Sequence, residues 1–221
     1  MPTDFETGLA QQRADMVEAQ LRRRGIQDES VLHAMETVPR HEFVPWQLQR
    51  EAYQDSPVPI GEGQTVSQPY IVGHMLQALR LGPQDRVLEV GTGTGYEAAV
   101  MSRIVREVYT IERFANLAQA ARKIFDRLGY ANIHVVIGDG SRGYPEAAPY
   151  DAIIVAAAAP RVPDALLNQL SDRGRMVVPV GPSDLQQLLL VSKHDGTIRT
   201  KALDPCRFVP LIGEHGYAGE Q

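Results

Sequence analysis

Residues 86–95 read Arg86-Val-Leu-Glu-Val-Gly-Thr-Gly-Thr-Gly95, and an apolar-periodic stretch follows from Tyr96. A short buried strand that runs into three glycines and then a helix is the opening βα turn of a parallel α/β sheet. The alternation continues outward from it. Apolar runs of strand length lie at 86–90, 107–111, 133–137, 151–155 and 175–180, with amphipathic helical stretches at 96–105, 114–128 and about 163–170. Beyond Gly181, residues 185–192 and roughly 197–211 read as closing antiparallel strands joined by a turn at Asp195-Gly196. The expected fold class is α/β, a doubly wound, mostly parallel sheet with helices on both faces.

Upstream, the pattern is helical. Residues 1–14 read as a flexible leader, and a helix from Met16 to Arg24 stops at Gly25. Asp28 can cap a second helix carrying Val31, Leu32, Met35 and Val38, and a third segment spans about 45–53. Residues 55–69 hold three prolines and two glycines, which exclude a helix and disfavour a long strand. So long a stretch inside a compact domain, carrying Val58, Ile60 and Val66, reads as a functional loop. Helical spacing resumes over 70–81. The chain is expected to be one domain over 15–221, with a helical extension and loop at 15–80 and a cofactor-binding core at 81–221.

The 221 residues carry 22 basic and 27 acidic side chains, a formal charge of -5, which gives no bulk attraction to nucleic acid or an anionic membrane. Cys206 is the only cysteine, so no intrachain disulfide can form. No apolar run approaches a membrane span or a secretory signal, and the expectation is a cytoplasmic protein.

The glycine turn defines a ligand site. Glycines at 91, 93 and 95 let backbone approach a ligand closely and aim free N–H groups at it. The dinucleotide spacing G-x-G-x-x-G would need glycine at position 96, where Tyr96 stands. Glu89, two residues before Gly91, would face the ligand; a carboxylate there suits a cofactor bearing an ammonium and a sulfonium and would repel a pyrophosphate. Glu112 ends the second strand, 21 residues after Gly91, where it can accept from both ribose hydroxyls or simply pair with Arg113 at the surface. Asp139-Gly140 follows the third strand. There it can hold an adenine amino group beside a flat ring, or be a plain turn.

Further segments carry a resemblance. Pro39-Arg-His-Glu-Phe-Val-Pro45, Pro59-Ile-Gly-Glu-Gly-Gln-Thr-Val-Ser-Gln-Pro-Tyr70, Tyr109-Thr-Ile-Glu-Arg113, Gly138-Asp-Gly140, Tyr150-Asp-Ala-Ile-Ile-Val155 and Arg207-Phe-Val-Pro-Leu211 join the glycine turn in resembling the protein-L-isoaspartate (D-aspartate) O-methyltransferase family, over about residues 16–214. The resemblance implies a Rossmann-like methyltransferase sheet, S-adenosyl-L-methionine as cofactor with S-adenosyl-L-homocysteine as product, no metal, and isoaspartyl peptides and proteins as substrates of a monomer. It implies methyl transfer to the α-carboxylate of L-isoaspartyl residues, after which the ester collapses to a succinimide that hydrolyses partly to aspartate. A same-fold enzyme acting on a small-molecule carboxylate is the alternative. The serine of its T-x-S motif maps to Ser67, with Thr65 and Gln68 flanking it, and Arg113 and Thr65 join Glu89, Gly91, Gly93, Gly95, Glu112, Asp139 and Gly140 on the cofactor side. Departures are Glu62 for a usual Tyr or Gln, Tyr144 for Trp and Ala156 for Thr.

The chemistry is compatible. A carboxylate with a pKa of about 4 is already ionised and needs no general base. Alignment and exclusion of water, worth roughly 7–11 kcal/mol in good cases, are the main demands. Ser67 is expected to hold one carboxylate oxygen so that the other faces the methyl group. Of the remaining polar groups, Arg22-Arg23-Arg24 reads as a solvated helix end, His74 as a surface or capping residue with the pocket as its alternative, and Arg207 as an ion-pair partner or a steering charge. The six histidines lack metal-ligand spacing, and Trp46 reads as a packed anchor.

Overall fold

A computed structural model of the chain describes residues 4–218, with side chains from Thr7 onward. The main sheet contains β3 (Arg86–Val90), β4 (Glu107–Glu112), β5 (Ile133–Ile137), β6 (Tyr150–Val155), β7 (Leu170–Val180), β8 (Gln186–His194) and β9 (Thr197–Cys206). Their order is β5-β4-β3-β6-β7-β8-β9. The first five positions pair in parallel, and β8 and β9 close the sheet antiparallel. Strand order therefore reverses between β3 and β6, and the crevice at their carboxyl ends is where ligands of open sheets bind.

Side chains alternate across the sheet with a period of two. Val87, Ala152, Ile154 and Val177 enter one apolar cluster, whereas Leu88, Ile153, Val155, Met176 and Val178 enter the other. The two faces are covered unequally. The first cluster takes buried residues from α1 (Asp4–Met16), α2 (Glu29–Thr37), α3 (Pro69–Leu79), α4 (Tyr96–Ser102) and α5 (Ala115–Leu128). The second is covered by the five-residue α6 (Asp164–Asn168), Tyr150 and Leu211. The turn at Asp195-Gly196 has positive φ at both residues (47° and 72°), which matches the right-handed twist of the strands it joins.

The N-terminal reading needs correction. Residues 1–3 lie outside the described residues, but from Asp4 the expected leader is helical and continues through a π turn (Val17–Leu21) and a 3-10 turn (Arg22–Arg24) to Gly25 at φ 93°. Few apolar residues mark it. Its order comes from tertiary contacts instead: Leu9 is buried, and Arg13 donates to the Glu36 carbonyl and, at 3.4 Å, to the Tyr53 hydroxyl. Asp28 caps α2 as expected, accepting from Ser30 N at 3.0 Å and Val31 N at 3.3 Å.

The third helical segment is only a 3-10 turn, Trp46–Glu51, none of whose residues is buried. Trp46 is 78% exposed, so it anchors nothing within the described residues. Phe43 takes that role, with its ring 5.9 Å from Tyr96 and 6.4 Å from Phe125. The expected loop at 55–69 contains a hairpin of β1 (Val58–Gly61) and β2 (Gln64–Val66). Three successive positive φ angles at Gly61, Glu62 and Gly63 turn it, and Val58 and Val66 bury its inner face.

Candidate active site

A cavity of about 690 Å³ opens at the carboxyl ends of the central strands. The glycine turn forms its floor, and the hairpin, α3 and residues 204–212 line the rest, with His74 of α3 meeting Asp204 at 3.0 Å. Ile60 leans over the turn, within 3.5 Å of where a Cβ on Gly93 would sit. The proline-bordered loop thus covers the glycine turn.

The turn is tied to the end of β4. Gly91 N and Thr92 N donate to the Ile111 carbonyl at 2.9 and 3.3 Å, and Gly93 N donates to Glu112 Oε2 at 2.9 Å. Gly91 and Gly93 adopt φ 101° and 54° and line the cavity. Gly95 also has positive φ (94°) but does not line it. A Cβ there would overlap the Phe125 ring, lying 2.7 Å from Cε1, so this glycine serves the packing of α4 on α5.

Glu89 faces the cavity from a fully buried position. Its Oε2 accepts from the Thr110 hydroxyl, which in turn lies 2.5 Å from the Thr92 hydroxyl, and its Oε1 has no partner among the described residues. Glu97, in the first turn of α4, lines the same floor and also presents a buried, unpartnered Oε1. Burial, then the adjoining Glu97 and Glu112 carboxylates, push Glu89 well above the usual carboxylate range. Burial alone pushes Glu97 up to about 8. Buried oxygens without partners are costly and call for a donor. A cation with several N–H groups, such as the ammonium of an amino-acid moiety, fits both.

Glu112 does not pair with Arg113. Its two oxygens accept from Gly93 N and from Phe114 N at 3.0 Å, each keeping further acceptor capacity toward the cavity. Arg113 lines the cavity with its guanidinium 5.1 Å from the Phe114 ring. Gly140 lines it too, with no room for a side chain beside Val90. Asp139 lies outside the main cavity and acts as a staple. Oδ1 accepts from Ser141 N (2.9 Å) and Ser141 Oγ (2.7 Å), and Oδ2 accepts from Glu214 N (2.8 Å). Partial burial would raise its carboxyl, but these bonds from Glu214 and Ser141 outweigh it and hold it low. Asp139 thus ties the turn after β5 to residue 214, next to Gly140 on the cavity lining.

Thr65, Ser67 and Gln68 line the cavity from the hairpin side. Ser67 is half-buried, and its carbonyl accepts from Arg40 Nη2 at 2.8 Å. No imidazole or carboxylate hydrogen-bonds its hydroxyl among the described residues. His74 takes the pocket alternative: it lines the cavity, stacks on Tyr70 at 5.8 Å and places Nε2 3.0 Å from Asp204 Oδ2. The basic cluster divides. Arg22 and Arg23 pair with Glu18 and Glu29 at the surface, while Arg24 binds Asp55, sits 3.5 Å over the Tyr70 ring and reaches the cavity. Arg207 is exposed on the rim and makes no ion pair among the described residues.

Sequence reasoning missed Arg24, Arg40, Glu97 and Asp204. Only Glu97 had a local signal, an acid two residues into the helix after the glycine turn.

A seven-stranded sheet with a reversed order at its centre, and a pocket that pairs a glycine turn with buried carboxylates, define an S-adenosylmethionine-dependent methyltransferase. The sequence profile of the family described as protein-L-isoaspartate(D-aspartate) O-methyltransferase (PCMT) matches residues 11–216. The chain belongs to that family. It is 55% identical to the protein-L-isoaspartate O-methyltransferase of Koribacter versatilis over 212 residues, 96% of each chain. It is 56% identical to that of Pelotomaculum thermopropionicum, covering 96% of this chain and 93% of the relative. A solved protein-L-isoaspartate O-methyltransferase superposes with a TM-score of 0.82 at 31% identity, covering 92% of this chain and 67% of the other. A Plasmodium falciparum structure of the same family, bound to S-adenosyl-L-homocysteine, gives 0.80 at 27% identity over 90% and 98% of the two chains.

Proposed function

We infer that the chain transfers a methyl group from S-adenosylmethionine to the α-carboxylate of L-isoaspartyl residues in damaged peptides and proteins, starting their repair to L-aspartyl residues. The observation that carries this reading is the family match over residues 11–216, coupled with a cavity in which the T-V-S-Q loop faces the glycine turn.

When bound, the cofactor supplies an electrophilic methyl group on a sulfonium. Glu89 and Glu97, whose buried Oε1 atoms lack partners among the described residues, would accept from its ammonium, and Glu112 would accept from its ribose. Gly91, Gly93 and Gly140 leave room for close approach, and Arg113 and Thr65 border the space. The acceptor carboxylate is ionised at neutral pH, and Ser67 has no base to activate it as a nucleophile. Its hydroxyl donates to one carboxylate oxygen and leaves the other free to attack in line. Thr65 and Gln68 hold the adjoining peptide, and the hairpin excludes water, which strengthens each of these contacts. Arg207 attracts acidic peptide at the rim. We further place the protein in the cytoplasm as a monomer; its lone cysteine, Cys206, forms no disulfide within the chain, which suits a reducing compartment.

The test is transfer of labelled methyl to an isoaspartyl peptide beside its normal aspartyl twin. Incorporation as base-labile ester into the former alone is expected. Equal labelling of both, or transfer only to small carboxylic acids, would overturn the reading in favour of the alternative acceptor.

A further inference from the structure

The guanidinium of Arg40 is fully buried, and no carboxylate lies within ion-pair distance of it among the described residues. A buried cation without a counterion is costly unless its surroundings are built for it, and an apolar chain of similar volume often stabilises a fold as well or better. Its partners lie in three separate segments. Nε donates to the Ala52 carbonyl at 2.6 Å, ahead of the hairpin, and Nη2 donates to the Ser67 carbonyl at 2.8 Å, at the hairpin's exit. The carbon of the guanidinium lies 4.6 Å from the ring centre of Tyr96, the first residue of α4 after the glycine turn.

A planar fork with fixed donor directions holds such partners at set positions; a lysine ammonium is a point charge and cannot. Other ties to the loop sit elsewhere. Asp55 Oδ1 accepts from Tyr70 N at 3.2 Å, and Asn116 donates to Glu62 at the tip at 2.8 Å. Among the described residues, Arg40 alone contributes a side chain from outside the hairpin that bonds the main chain of residues 64–68.

We propose that Arg40 is a positioning residue for methyl transfer: it braces the Ser67 main chain against the first residue of the cofactor helix and so sets the spacing between acceptor loop and cofactor floor. This rests on the reading of Ser67 given above. Arg40 touches neither reacting group and lies outside the residues lining the cavity. Its effect passes through the loop, where a misplacement of about 1 Å can lower the rate on the order of 10²-fold.

The experiment compares Arg40→Lys, Ser67→Ala and the double variant for kcat, KM of an isoaspartyl peptide, cofactor Kd by calorimetry and Tm. Arg40→Lys should lower kcat roughly tenfold, no more than Ser67→Ala itself does, while changing cofactor Kd by less than about threefold. Added to Ser67→Ala, it should lower kcat by less than about threefold more, because the contact it positions is already gone. Unchanged kcat in Arg40→Lys, fully multiplicative losses, or a Kd that weakens as much as kcat falls would each overturn the proposal. Should the lysine variant fail to fold, Arg40→Met removes the buried charge with similar volume; it should lose turnover and keep cofactor Kd, and full turnover in it is equally fatal. Normal kcat in Ser67→Ala sinks the Ser67 reading and this proposal with it, whereas a loss there with none in Arg40→Lys sinks the bridge alone.

Discussion

The two walls of the cavity are built on different principles. The cofactor floor is made largely of main chain: strand ends, left-handed glycines and one carboxylate, Glu112, locked by backbone N–H groups. The acceptor wall is a short hairpin with a mostly exposed outer face, held in place by side chains from distant segments, Arg40 and Asn116, and by Asp55, which ties the chain entering it to the start of α3. The floor binds one invariant ligand and gains from rigidity. The wall admits damaged sites in many different proteins, so its residues are placed by long-range ties that leave the rim open.

The comparison breaks most readily at the floor. Gly95→Ala must place a Cβ against Phe125 at φ 94°, combining left-handed strain with overpacking, and should destabilise the protein by about 2–5 kcal/mol in urea unfolding. A loss below about 1 kcal/mol would mean that the ring gives way and that the floor is softer than described. At the wall, Ser67→Ala should leave stability and cofactor Kd nearly unchanged and lower kcat roughly tenfold or more, the worth of one hydrogen bond to a charged group. Equal loss of affinity and turnover would make Ser67 a structural residue.

The floor also carries a pH signature. In the empty protein Glu97 is protonated at neutral pH, with its carboxyl raised from 4.5 to about 8. Between those values the folded state binds more protons than the unfolded one, so stability of the cofactor-free protein should fall as pH rises through this window. A cationic cofactor favours the ionised form. Its binding should release a proton near pH 7, and affinity should rise by roughly fiftyfold from pH 6 to pH 8. Calorimetry in buffers of different ionisation enthalpy reads the proton directly; Glu97→Gln combined with Glu89→Gln should abolish it, because both carboxyls are raised, and an unchanged proton count in that double variant would assign the effect elsewhere. The smallest effect belongs to the hairpin tip. Glu62→Gln keeps an acceptor for Asn116 and removes a negative charge at an exposed position, so KM for an acidic isoaspartyl peptide should fall by about twofold, a difference that 1 M salt erases.

The legibility of the two walls differs for the same reason. Glu89, Gly91, Gly93, Glu112 and Gly140 could be picked out because each sits at a fixed offset from a strand whose apolar run is plain in the sequence. Gly95 and Asp139 obey the same offsets yet lie off the main cavity, one filling a packing contact with Phe125 and the other stapling residues 213–215. Offsets give the address of a residue along the chain, and the direction in which its side chain is used depends on neighbours. Trp46 makes the point from the other side: its size predicts burial, but the nearby Phe43 and Val44 are the buried residues and the indole is left in solvent.

What the sequence by itself determined was the order of strands and helices from residue 70 onward, the glycine turn and the family, because these depend on local periodicity, on backbone freedom at glycine and on motifs that are contiguous. Only the tertiary structure decided that a buried arginine forty residues from the N-terminus holds Ser67, that Arg24 and His74 reach the cavity, and that Glu97 joins Glu89 on its floor. Such contacts join residues far apart in the chain, and their energies arise from desolvation and the geometry of approach, which no short stretch of residues encodes.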